Sequence, residues 1–500
     1  MKSGYKGTIW FAAFLLIWFF GGCAQEEQLP VESSKPSQPV KAEPVKAVAA
    51  EIIVGEIGEY VITTEQVKQT GRRRLRDDLY IDGRGSRPRQ AREILLELLA
   101  EKAMATKGRS QGLLEDEITY QSIKRFKDKK LVGSLLTSHL KSKIHVSDAR
   151  IEALMKTDAK LTRENARAKL AQEQANKLRG EFYEQLYKKY KVEKLRDNFQ
   201  KAGLTHNRLL KLPRKNARTQ WVISKQVRDA LTAEERATVL AEFDGEQITI
   251  KDWLYGLCEI APPGRATFLK GSKGIEQLLD RLLKTEIFVH EAIARGFDKN
   301  EGFVKKVKER EDTMLTGKIR SRAYSSVKNT EDKEQLLAYF NAHKEYFGTP
   351  ATLKVDQIWC NDLKSAQQAR AQLDSGKDFA QVKDKYDVMG IMRQKEPQII
   401  SPVREGFFFD QLWVGEPGSI VGPVKGTSYE GLKWRVVKIY EKTPGEIKEY
   451  SDDMKNSIQM KLQSVQVDRA ILELQNQLLE KYPYKIYEDR LEGLDPLEIP

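Results

Sequence analysis

The sequence predicts an α+β chain: two similar, mainly helical shells, with one small α/β domain inserted in the second. Three observations carry that expectation. A short phrase is written twice, VGEIGEYVITTEQV at 54–67 and LAEFDGEQITIKDW at 240–253. Each reads as a strand, a turn with Gly, a second strand and the start of a helix. Each is followed by a long amphipathic helix, AREILLELLAEKAMATKG at 91–108 and GIEQLLDRLLKTEIFVHEAIARG at 274–296. The third observation is a change of pattern over 336–439, where short apolar strands alternate with helices and Gly-Pro turns.

Taken in order, residues 1–23 read as an export signal. Lys2 and Lys6 make a basic start, 9–20 is an apolar core, and Phe20-Gly21-Gly22-Cys23 closes it. The core is too short to span a bilayer, which takes about 20 apolar residues. The closing tetrad resembles a lipobox, with Phe20 where such motifs usually carry Leu. That resemblance implies a diacylglycerol on Cys23, and Ala24 after it implies an outer-membrane destination on the periplasmic side. The other reading is an ordinary secretory signal with an incidental cysteine. Residues 24–50, rich in Pro, Glu, Lys and Ser, read as a flexible linker with a reach of roughly 30 Å.

Shell one is expected over 51–205, a connector with one short helix over 206–235, and shell two from 236. In shell two, Leu278, Leu282, Ile287 or Phe288, and Ala292 fall at helical spacing and form one apolar stripe. Gly108 and Gly296 stand where helix C-caps belong. Helices at 144–156 and 329–347 correspond, as do long return helices at 166–195 and 457–491, each running into a short strand. Shell two then comprises 236–349 and 442–500, with 350–441 between them. A long return helix has no partner of its own and must pack back on the preceding helices to bury its stripe.

The 500 residues exceed one hydrophobic core, and the net charge is +13. Export makes nucleic acid a poor partner. Arg72-Arg73-Arg74 reads as a solvated run, and attraction to acidic headgroups or acidic unfolded chains fits the compartment better. Three cysteines do not make a disulfide framework. Cys258 and Cys360 either pair or remain two buried thiols. Five histidines without ligand spacing argue against a metal, and neither a nucleophile elbow nor a phosphate loop is present. GRGS at 83–86 reads as a loop.

The words LLAYFNAHKEYFGTPATLKVDQIW and GEPGSIVGPVKGTSYEGLKWRVVKI, which bound 336–439, resemble the parvulin-type peptidyl-prolyl isomerase domain. The approach helix resembles that of the SurA, PrsA and PpiD foldases. The X-Pro bond turns over a barrier of about 18–20 kcal/mol, slowly enough to limit folding. The resemblance implies a small four-stranded sheet with helices, two histidines on neighbouring strands beside an Asp or Cys, and a hydrophobic cup. Laid on this chain, the histidines become Gln357, followed by Ile358 and Trp359, and Arg435, preceded by Trp434. Phe408 matches the cup phenylalanine, and Trp413 a later core aromatic. With Trp359 these are the expected substrate contacts. The acidic position falls in the altered stretch 389–406, with Asp387 as a candidate.

Two readings of the pair stay open: a polar substitute with slow isomerase activity, or a relic that packs or grips peptides. What the resemblance implies is an exported, lipid-anchored foldase without cofactor or ATP that binds unfolded or partly folded exported proteins. The alternatives are an active isomerase and a structural lipoprotein holding a fixed partner.

Overall fold

The computed structural model describes residues 51–78, 87–158, 160–212, 221–328, 330–390 and 397–499. The export signal, Cys23, the linker 24–50 and the GRGS loop lie outside these residues. Two strands open the chain, β1 (Ile53–Ile57) and β2 (Tyr60–Thr63), joined through Gly58 at φ +55°. Five helices follow: α1 (Thr64–Asp78), α2 (Ala91–Ser110), α3 (Glu117–Leu140), α4 (Asp148–Thr157) and α5 (Arg163–Lys189). Capping sets several starts, with the Asp116 carboxylate accepting from the Thr119 amide at 3.1 Å before α3. Strand β3 (Glu193–Lys194) leads to α6 (Phe199–Leu210), α7 (Ser224–Ala230) and α8 (Ala233–Ala237).

The hairpin form then recurs as β4 (Val239–Phe243) and β5 (Glu246–Thr249). Helices α9 (Ile250–Glu259), α10 (Pro262–Phe268), α11 (Gly271–Ala294), α12 (Glu301–Ser326) and α13 (Lys333–Ala342) come next. A sheet domain follows: β6 (Thr352–Cys360), α14 (Leu363–Asp374), α15 (Phe379–Tyr386), β7 (Gln398–Ile400), α16 (Pro402–Glu405), α17 (Phe407–Trp413), β8 (Ile420–Ser428) and β9 (Gly431–Thr443). Its antiparallel strand order is β7-β6-β9-β8. The return helix α18 (Lys455–Lys481) and β10 (Tyr484–Ile486) end the succession.

The strand pairing differs from expectation. β10 pairs with β1, on the edge opposite β2. β3 pairs with β4, completing the second hairpin and not the first. The cores follow the strands. Leu95 and Leu99 of α2 pack with Leu315 and Ile319 of α12 and Leu478 of α18 in an outer body. Leu131 and Leu135 of α3 and Phe182 of α5 pack with Leu279, Leu283 and Ile287 of α11 in an inner body. Residues 51–205 are therefore not one packed shell. Each long helix finds its apolar partner in the other half of the chain.

Gly108 explains part of this exchange and corrects its own assignment. It lies inside α2, and a Cβ there would stand 2.9 Å from Leu315 Cδ2, so its bareness lets α12 approach. The left-handed residue beyond α2 is Gly112, at φ +64°. Gly296, at φ +76°, does follow the end of α11.

The expected connector is also different. Its boundary at 206 falls within α6, and Phe199, Leu209, Val222, Val227 and Leu231 are buried in the inner core. Among its described residues lie the end of α6, the short helix α7 and the start of α8, which runs on to Ala237. Cys258 and Cys360 are both free thiols. Among the described residues no helix is long and apolar enough to cross a membrane.

Candidate functional site

Alternation along β6 and β9 places Gln357, Trp359, Arg435 and Val437 on one face of the four-stranded sheet. Trp359 is the register partner of Arg435. Arg435 is fully buried and Gln357 nearly so. The Arg435 Nη1 donates to Gln357 Oε1 at 2.8 Å. Its Nη2 lies 2.8 Å from Glu405 Oε2, a carboxylate also buried, at the end of α16. The guanidinium carbon stands 5.2 Å from the Trp359 ring centroid, a cation–π contact. Behind it runs the Gly426 backbone, where a Cβ would collide with the guanidinium. The Arg435 Nε–H has no acceptor among the described residues.

Sequence reasoning missed Glu405. A buried arginine requires a carboxylate partner, and that demand was the available signal. Asp387 does other work: its Oδ1 accepts from the amides of Trp359 and Met389, both at 3.3 Å. Burial pushes the neighbouring Cys360 thiol up to about 12, with the Asp387 and Asp362 charges adding to it. Such a thiol is not a nucleophile at neutral pH.

The structure thus brings together Gln357, Arg435 and Trp359, but separates them from the two α17 aromatics. Trp413 stacks on Phe409, with ring centroids 5.4 Å apart, beside a core of Leu353, Val355 and Ile439. Phe408 is buried in a different cluster with Phe407, Leu75 of α1 and Leu497. Chemically, the pair is a buried ion-pair network in which Arg435 is held by Gln357 and Glu405.

A second site lies where the two helical bodies meet. A cleft of about 700 Å³ opens between α3, the end of α11 and α12. Its walls are Leu114, Ile123, Leu131, Val289, Phe303 and Val307, and its mouth carries the exposed Tyr120, Ile293 and Val304. Lys124, Lys127, Lys308 and Glu311 form a charged rim. The rim lysines are paired, Lys124 with Asp128 and Glu286, Lys127 with Glu311 and Lys308 with Glu59. Among the described residues no cluster of His, Cys, Asp and Glu is placed to hold a metal.

No family model matches the chain, and no curated protein does. The solved structures it matches include SurA-like chaperones and PrsA foldases. One is a SurA-like chaperone of Campylobacter jejuni, at 15% identity, covering 49% of this chain and 96% of that one, with a TM-score of 0.22. Another is the foldase PrsA of Streptococcus pneumoniae, at 14% identity, 51% and 97% coverage, and a TM-score of 0.24. PrsA of Bacillus subtilis gives 16%, 52% and 98%, with a TM-score of 0.18.

Proposed function

We propose that this chain is an exported chaperone of the foldase type, which holds unfolded or partly folded exported proteins in the cleft between its two helical bodies. Residues 350–441 are, in this reading, a parvulin-like domain that has lost its isomerase chemistry. Cys23 carries the lipid that ties the protein to the envelope membrane, and neither ATP nor a metal takes part. The two bodies come from one module written twice, with the return halves exchanged.

The observation that carries the reading is the apolar cleft, open at Tyr120, Ile293 and Val304. A large unfilled apolar concavity marks a binding surface. The buried Arg435 supports the second half of the proposal. A permanent charge bound to Gln357 and Glu405 cannot serve a rotation that needs an apolar cup.

The test pairs two assays on purified protein. Wild type should suppress aggregation of a denatured client, and Ile293→Glu with Val304→Glu should lose most of that suppression while melting normally. Neither protein should accelerate isomerisation of a short X-Pro peptide. Unchanged suppression by the double variant would remove the cleft from the account. A wild-type isomerase rate abolished by Phe408→Ala would make the chain an enzyme.

A further inference from the structure

Beyond β10 the chain turns back at 488–490 and crosses from the outer body to the sheet domain. Residues 495–498, Asp-Pro-Leu-Glu, lie in a groove between α1 and that domain. Leu497 is buried among Leu75, Phe407 and Phe408, with Leu432 against them. Pro496 rests on Gly71, where a Cβ would stand 2.8 Å from the proline's own Cβ. Lys425 Nζ contacts Asp495 Oδ2 at 2.5 Å and donates to the Leu497 carbonyl at 2.8 Å. On the opposite wall Lys68 pairs with Glu498, and Arg72 Nη1 donates to the Glu498 carbonyl at 3.2 Å.

The segment is turned, with the Glu498 amide donating to the Asp495 carbonyl at 3.2 Å and the Leu497 amide to Asp495 Oδ1 at 2.8 Å, and the groove recognises this short turn in three ways. It takes one proline-aliphatic pair in an apolar slot, two flanking carboxylates on lysines, and two successive main-chain carbonyls on cations. None of these contacts requires that the segment belong to this chain. We propose that the groove is a peptide-binding site for acidic–Pro–aliphatic–acidic segments of client proteins, filled in cis by residues 495–498 until a client displaces them. A tethered occupant at millimolar effective concentration scales the apparent affinity for any competitor down to the fraction of time the groove stands free of it. The inference rests on the chaperone reading only in taking clients as the competing ligand.

The experiment uses a fluorescein-labelled peptide, Gly-Leu-Asp-Pro-Leu-Glu-Ile, and the full chain. Anisotropy should show weak binding to wild type. Binding to Leu497→Ser should be at least about tenfold tighter, the effect of removing one buried leucine contact from the cis segment. Adding Lys425→Glu to that variant should abolish the gain. Should Leu497→Ser fail to fold, Asp495→Lys with Glu498→Lys loosens the segment through partly exposed charges, and the same gain is expected. Equal binding to wild type and a folded, loosened variant, or no binding to either, overturns the proposal. Aggregation suppression is read separately, so a failed cleft assay leaves this result standing.

Discussion

The inner and outer helical bodies are made of the same kinds of parts, but they are joined differently. Each has a hairpin completed by a distant third strand, a long stripe helix, and a return helix packed across it. The buried core of the inner body falls within residues 131–292, one continuous stretch. That of the outer body draws on residues 54–113 and then on 315–491, with the inner body between these stretches and the whole sheet domain inside the second. The helical arms repeat the contrast. α4 and α5 are joined by residues 158–162, whereas α13 and α18 are joined through the sheet domain. A long interruption adds only a slowly growing closure cost. It lengthens the wait before native contacts form, because closing a loop precedes any gain from it. The inner body is therefore expected to fold from its own segment, and the outer body to need both of its stretches.

That difference gives the largest expected effect. Residues 114–300 alone should melt cooperatively in far-UV circular dichroism. Residues 51–205, which hold the first hairpin and α5, should not, since α2 lacks α12 and α18 while α3 lacks α11. A cooperative transition of 51–205 would show that the exchanged pairing is not required, and would break the comparison at its base.

The sequence made the elements legible and hid their partners, for a physical reason. Hairpins, stripe helices and the Gly296 cap are written in residues a few positions apart. The pairing of Gly55 with Ile486 is a contact between distant parts of the chain, and no local period reports it. Gly108 misled because a glycine near a helix end has two uses, and only the position of Leu315 tells them apart. At the candidate site the adjacency of Gln357 and Arg435 was legible only through the parvulin resemblance, which sets the two positions on neighbouring strands. Glu405 and the segment around Leu497 were not legible, since both come from stretches with neither period nor familiar wording.

The second test concerns the sheet domain, which only the outer body carries. Glu405→Gln leaves the buried Arg435 charge with only Gln357 and the Trp359 ring, and should cost about 3 kcal/mol, read by denaturant unfolding. Replacing all three members together (Gln357→Leu, Arg435→Met, Glu405→Leu) should recover most of that loss, because the desolvation penalty goes with the charges. If Glu405→Gln proved neutral, the network would not be buried as described.

Each body also holds a buried acid that joins elements from the two halves of the chain. In the outer body Asp312 accepts from Tyr60 Oη at 3.0 Å and lies 3.1 Å from Lys102 Nζ. In the inner body Glu291 of α11 lies 2.6 Å from Lys189 Nζ and 2.6 Å from Arg295 Nη2, and accepts from Tyr190 Oη. Burial pushes the Glu291 carboxyl up, but hydrogen bonds from Lys189, Tyr190 and Arg295 outweigh it and hold it at about 2. A depressed carboxyl contributes its stability fully above its unfolded value, near 4.3, and loses it as pH falls toward 2. Glu291→Gln should therefore cost about 2 kcal/mol at pH 7, with Lys189 half exposed and screening part of the gain. The gap to wild type should close between about pH 4.5 and 2. A gap independent of pH would assign the loss to packing alone.

The smallest effect belongs to the arm that carries no sheet domain. α4 and α5 share a small core of Ile151, Ala166 and Leu170, and Arg163 reaches back to Asp148 at 2.8 Å. Both side chains of that pair are more than half exposed, at 54% and 63%. Water and salt screen such a pair, and ordering two long side chains offsets the Coulomb gain. Arg163→Ala should change stability by less than about 0.5 kcal/mol, and raising the salt should erase even that. Ile151→Ala on the same arm should cost several times more, because it opens a void that the two helices cannot close. A larger loss from Arg163 than from Ile151 would mean that the arm is held by charge, and that the two arms differ in more than the domain one of them carries.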